Sequence, residues 1–190
     1  MKWYAFFVKS GKEDVLCRYL NYILRGRKEI TYRLIVPKRE LTEYKSGSKK
    51  LVHKPLFPGY IIIHTESIYK IYNIMKVLWH SEIYALIRTD EWFQEIKEDE
   101  MLPLLKIINK NGIIKASTIH IKKDRVIVIG GPLIHYTGRI KKINSRKGRA
   151  KISLNFLNYK YEFNIGVKCL DKLSDNEFNH EIVSIPMLRS

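Results

Sequence analysis

The sequence predicts an α+β protein: an N-terminal α/β sandwich with helices laid on one antiparallel sheet, a linker, and a small C-terminal β-barrel. Three observations predict it. Up to residue 111, apolar residues recur by turns at strand and helix spacing, in the order βα, β-hairpin, β, α, β, α. From residue 122 only strand-like alternation remains, broken by turn signals about every ten residues, as in a closed barrel of short strands. Between them, Gly112–Asp124 carries no strong helix or hairpin pattern. Residues 1–111 therefore read as one domain, 112–121 as a linker, 122–173 as a second domain and 174–190 as a tail.

The first strand is "WYAFFVK", Trp3–Lys9. A helix follows in "SGKEDVLCRYLNYILRGR", with Val15, Leu16, Tyr19, Leu20, Ile23 and Leu24 on one face and Gly26 past its end. "YRLIVPKREL" supplies a strand ending at Pro37, and "TEYKSGSKKLVH" alternates across Ser46-Gly47-Ser48, which predicts a projecting hairpin. The run Tyr60–Ile63 reads as a strand buried on both faces. Ile68, Ile71, Tyr72, Met75 and Leu78 keep helical register, then "IYALIRT" is a strand. "IKEDEMLPLLKIINKNG" is a last helix with acidic residues in its first turn, where they suit the dipole.

Composition narrows the function. No apolar run approaches the roughly 20 residues a membrane span needs, and the N-terminal apolar patch lacks a cleavage signal, so a cytoplasmic protein without membrane contact is expected. Cys17 and Cys169 are too few for a disulfide framework, and no His/Cys cluster suggests a metal site. The six histidines are scattered, with no spacing fit for a nucleophile, and no phosphate-cradling glycine loop is present. A non-enzymatic monomer without cofactor is expected. The net charge of +16 points to an anionic partner such as nucleic acid, although AT-rich coding sequence also yields basic chains. Its distribution is more informative. Residues 1–111 hold 20 Lys/Arg against 13 Asp/Glu, whereas residues 122–173 hold 13 against 3.

Two motifs stand out. In "HKPLFPGYIII", two prolines bracket Leu56-Phe57 and a Pro-Gly pair feeds directly into the buried strand, so a rigid turn holds the rings of Phe57 and Tyr60. In "VIVIGGPL", Gly130-Gly131-Pro132 permits a turn that other residues would strain, and Gly138 opens the next strand. Together with Trp3-Tyr4, the order and spacing resemble the NusG family of transcription elongation factors over about residues 2–173. In that family Phe-Pro-Gly-Tyr lies in the N-terminal NGN domain and the Gly-Pro segment in the C-terminal KOW domain.

The resemblance implies that the surface around the turn grips the clamp helices of RNA polymerase. Trp3, Tyr4, Phe57, Pro58, Gly59 and Tyr60 are the contact candidates, since a rigid turn presents partly exposed rings at modest entropic cost. The competing reading is that these rings, above all Trp3 and Phe57, fill the core. The hairpin region Lys45–Lys54 corresponds to a loop that in related proteins approaches DNA or the opposite side of the polymerase cleft, or else is a solvated loop. Phe156 aligns with a residue by which general members dock Rho or a ribosomal protein.

The chain departs from the general pattern between Arg139 and Lys151. Arg139, Lys141, Lys142, Arg146, Lys147, Arg149 and Lys151 place seven cations in thirteen residues with no acid among them. With Arg125, His135 and Tyr136 nearby, these residues suit phosphates and unpaired bases, although a solvated charged face explains them too. So basic a KOW domain is most similar to the LoaP antiterminator branch. That likeness implies a nascent RNA hairpin as partner, with a general factor coupling polymerase to Rho or the ribosome as the alternative.

Overall fold

Strand β1 (Lys2–Val8) forms as expected, is buried on both faces from Trp3 to Phe6, and lies inside a four-stranded sheet. The computed structural model describes residues 1–78, 80–122, 125–170 and 183–186, with the backbone alone at 45, 122, 125, 135, 137–139 and 183–186. β1 pairs antiparallel with β5 (Tyr60–Thr65) on one side and β6 (Ile83–Leu86) on the other, and β2 (Tyr32–Ile35) pairs with β5. The order β2-β5-β1-β6 is the antiparallel sheet expected from the sequence.

Alternation sends Tyr4, Phe6 and Val8 to one face of this sheet, together with Ile61, Ile63 and Ile83. Helix α1 (Glu13–Leu24) contributes Leu16, Leu20 and Leu24 to the same core, and helix α2 (Ile68–Val77) contributes Ile68, Ile71 and Met75. Each such side chain stabilises by about 1.5–3 kcal/mol when fully buried. Val15 and Leu78, expected on the inward faces, are exposed at the margins.

Two compact units emerge: Met1–Pro37 with Pro55–Met101, and Lys38–Lys54 with Leu102–Ser190. This division differs from a boundary at 111 in two respects. The expected hairpin forms as β3 (Lys38–Lys45) and β4 (Ser48–Pro55), with Ser46 and Gly47 both at positive φ, but residues 38–54 group with the C-terminal part of the chain. Helix α3 (Glu98–Ile107), with Glu98, Asp99 and Glu100 in its first turn, runs across the division.

The expected linker 112–121 holds two strands instead. β7 (Ile113–Ile114) pairs parallel with β3 through Lys38 and Arg39, forming a sheet of order β4-β3-β7. β8 (Ser117–Lys122) pairs with β9 (Arg125–Gly130) and runs parallel to β12 (Tyr159–Leu170), so its backbone groups are satisfied on both edges. A parallel pairing between segments some fifty residues apart leaves no local signature, which is why the stretch read as unstructured.

The remaining strands are β10 (Ile140–Asn144), β11 (Arg149–Phe156) and β13 (Val183–Pro186), and a 3-10 segment covers Pro132–Arg139. The six strands of this sheet run β10-β11-β12-β8-β9-β13. Of the tail beyond 173, Val183–Pro186 is described, paired with β9; the rest lies outside the described residues. Among the described residues no helix is long and apolar enough to cross a membrane.

Candidate functional site

The turn between Leu56 and Tyr60 is clamped from three directions. Leu56 N donates to Pro37 O at 2.7 Å, Val8 N donates to Gly59 O at 2.8 Å, and Gly59 N donates to the Glu13 carboxylate at 2.8 Å. Gly59 has φ +83, and a Cβ there would stand 3.2 Å from Val8 O, so both conformation and space call for glycine. Glu13, at the first turn of α1, is only 3% exposed and also accepts from Gly11 N at 3.0 Å. Nothing in the sequence singles out Glu13 from other helix-start acids; the role comes from the tertiary approach of the turn.

The aromatic candidates divide. Trp3, Tyr4 and Phe57 are buried, Phe57 to 2%, which corrects the expectation that these rings are presented at the surface. Trp3 stacks on His64 with centroids 4.0 Å apart, its register partner on β5, and burial lowers the His64 pKa below its ordinary value. Burial likewise raises the Tyr4 hydroxyl pKa. Pro58 is exposed, Gly59 is buried and Tyr60 is half-buried.

What the turn presents is therefore Pro58 and Tyr60, and the sheet widens this surface with two residues not anticipated. Phe7 is 40% exposed and Tyr84 50% exposed. Phe7 stands opposite Tyr60 in register, with ring centroids 5.6 Å apart, and Tyr84 lies 5.4 Å from Phe7 on the other side. An aromatic row thus crosses β5, β1 and β6. Phe7 was detectable as the outward member of the alternating pair Phe6-Phe7, but its company depends on strand pairing.

In the C-terminal unit the cationic candidates also divide. Lys141, Lys142, Arg146 and Lys147 are exposed. The interruption of alternation at Lys142 is a register shift between Ile140 and Lys142, a bulge that leaves both lysines outward. Gly148 N donates to Ser145 O and Lys147 N to Asn144 Oδ1, closing the turn. Arg149 is half-buried and donates to Thr42 O at 2.5 Å, and Lys151 pairs with Glu162 at 2.8 Å, which holds that carboxyl below its usual range. Arg149 thus ties the hairpin to Thr42, while Lys151 keeps a partly exposed side chain beside Glu162. Tyr136 is buried, so its ring is not a stacking platform. Phe156 is 1% exposed against Tyr161, which removes it as a surface anchor. The side chains of Lys45, Arg125, His135 and Arg139 lie outside the described residues.

Residues 1–105 match the family model for the transcription termination factor NusG, more than half of the 190-residue chain. The chain belongs to the NusG family. NusG of Bacillus subtilis, a transcription termination/antitermination protein, is 27% identical over 185 residues, covering 90% of this chain and 98% of that protein. Its counterpart in Thermus thermophilus is 24% identical over 80% of this chain and 88% of its own length. A solved structure of Thermotoga maritima NusG covers 87% of this chain and 93% of its own at a TM-score of 0.52 and 20% identity, a likeness of fold. NusG-family proteins are transcription factors, not enzymes.

Proposed function

We propose that this NusG-family chain is a specialised processive antitermination factor. It holds RNA polymerase through the N-terminal unit and a nascent leader RNA hairpin through a KOW-type barrel in the C-terminal unit, in the cytoplasm. The observation that carries the reading is the group Lys141, Lys142, Arg146 and Lys147: four exposed cations on one β-hairpin, none in an ion pair within 4.0 Å among the described residues. Neutralising four duplex phosphates makes the slope of log affinity against log salt about 3 to 4, at about 0.9 per contact. The polymerase surface consists of Pro58 and Tyr60 with Phe7 and Tyr84, an aromatic cluster of the kind that anchors interfaces. Trp3, Tyr4, Phe57 and Gly59 are buried and serve the fold rather than the contact. Two contacts on one chain make the second effectively intramolecular, raising avidity on the order of 100-fold.

The test is charge reversal, Lys141→Glu with Lys142→Glu and Lys147→Glu. Readthrough of terminators behind the cognate leader should be lost while polymerase co-purification is retained; equal loss of both contradicts the reading. The general alternative, coupling to Rho or a ribosomal protein, is favoured only by the termination named in the relatives' descriptions. It gains if this variant still captures Rho or ribosomes and binds leader RNA no worse than the native chain.

A further inference from the structure

The β3–β4 hairpin was expected to act apart from the basic barrel strands, yet it shares their compact unit, and its contacts give it a direction. Arg39 Nη1 donates to Asn164 O at 2.9 Å. One residue on, Glu40 O lies so close to Gly166 that a Cβ there would stand 2.6 Å from it. Two residues further, Thr42 O accepts from Arg149, the register partner of Gly166. As β3 numbering rises, its contacts thus advance along β12 from Asn164 to Gly166. The next residue, Val167, donates to Gly148 O at 3.0 Å, at the turn Ser145–Gly148. β3 therefore travels toward the end of the unit where the β10–β11 turn stands. Its own turn at Ser46–Gly47 comes four residues after the Thr42 tether, about 13 Å further at about 3.3 Å per residue.

The course of β3 thus carries its turn toward the β10–β11 turn, and both hairpins bear cations. Arg146 and Lys147 are exposed on the β10–β11 turn, Lys49 and Lys50 are exposed on β4 just past the other, and Lys141 and Lys142 are exposed on β10. The acids of β3 are already engaged: Glu43 pairs with Lys54, and Glu40 accepts from Ala116 N and meets His53. At the base, burial and then the neighbouring Arg149 hold Arg39 below its ordinary pKa, so two guanidinium groups stand close together there.

We infer that the β3–β4 hairpin and the β10–β11 turn form a two-pronged cationic clamp that grips the phosphate backbones of one double-helical RNA stem, Lys49 and Lys50 contacting the same ligand as Arg146 and Lys147. The inference rests on the RNA-binding reading above and extends it to a hairpin for which the family resemblance implies DNA or the polymerase cleft, with a solvated loop as the alternative. Side chains on two hairpins can reach two phosphate runs of a duplex, and such contacts recognise shape rather than base sequence.

The experiment measures binding of the full chain to an RNA hairpin with a stem of about 16 base pairs, the span a double-stranded RNA module covers, across a salt series. Native protein is compared with Lys49→Ala/Lys50→Ala and with Arg146→Ala/Lys147→Ala; Lys49→Arg/Lys50→Arg serves as charge-preserving control. Each alanine pair should lower the salt slope by about 1.8, at about 0.9 per lost phosphate contact, and the arginine pair should restore it. A native slope for Lys49→Ala/Lys50→Ala beside a reduced one for Arg146→Ala/Lys147→Ala overturns the clamp and leaves the barrel reading standing. No change in either variant overturns both. Equal binding and equal slope losses on a DNA hairpin of the same sequence keep the clamp and sink the RNA assignment.

Discussion

Replacing Glu13 by alanine tests the claim that a buried carboxylate, rather than the prolines alone, holds the Phe57–Tyr60 turn. One carboxylate oxygen accepts from Gly59 N at 2.8 Å and Gly11 N at 3.0 Å, and the residue is 3% exposed. Hydrogen bonds to charged groups contribute about 1.5–3 kcal/mol each, and a buried donor left unsatisfied costs a similar amount. Gly59 is buried and loses the full contribution, while Gly11 is exposed and recovers most of its own from water. The expected loss is about 3 kcal/mol for Glu13→Ala. Glu13→Gln keeps an oxygen acceptor without its charge and should lose about 1 kcal/mol. Urea unfolding followed by tryptophan fluorescence reads the N-terminal unit, since all three tryptophans, Trp3, Trp79 and Trp92, fall in its sequence. At about 1.5 kcal/mol per molar urea, the alanine midpoint should fall by about 2 M. An alanine variant within about 0.5 kcal/mol of native, or a glutamine variant as unstable as alanine, refutes the reasoning.

Three further outcomes follow from the same geometry. Phe57→Ala should destabilise the N-terminal unit by about 3–5 kcal/mol, whereas Tyr60→Ala and Tyr84→Ala should cost little stability and weaken polymerase capture; melting curves beside pull-downs separate the two classes. Gly166→Ala should destabilise the C-terminal unit by about 1–3 kcal/mol through the collision with Glu40 O, visible as earlier hydrogen exchange in β3 and β12. His64, whose folded pKa is depressed, binds its proton more readily when unfolded, so its contribution is present above pH 6.5 and is lost as pH falls from there through the folded pKa. Urea midpoints between pH 8 and pH 5 should decline, and His64→Phe, which keeps a ring on Trp3, should flatten that decline.

The sequence by itself determined whatever depends on neighbours in the chain. Leu16, Leu20 and Leu24 sit one turn apart on one helix face, Tyr60–Ile63 are apolar without a break, and Ser46-Gly47 can take positive φ between alternating arms, so these elements were legible residue by residue. The family motif was legible for a similar reason, since Phe-Pro-Gly-Tyr needs its glycine wherever the turn is built. The tertiary structure alone decided which of those residues reach the surface. Burial depends on what lands on a side chain from elsewhere: Phe57 is covered while Phe7 and Tyr84 are left open, and Lys151 is spent on Glu162 while Lys147 is free of any ion pair among the described residues. It also decided where the hairpin belongs. Arg39 reaching Asn164 and Arg149 reaching Thr42 span more than a hundred positions, and contacts closed over loops that long leave no periodic trace in the sequences they join.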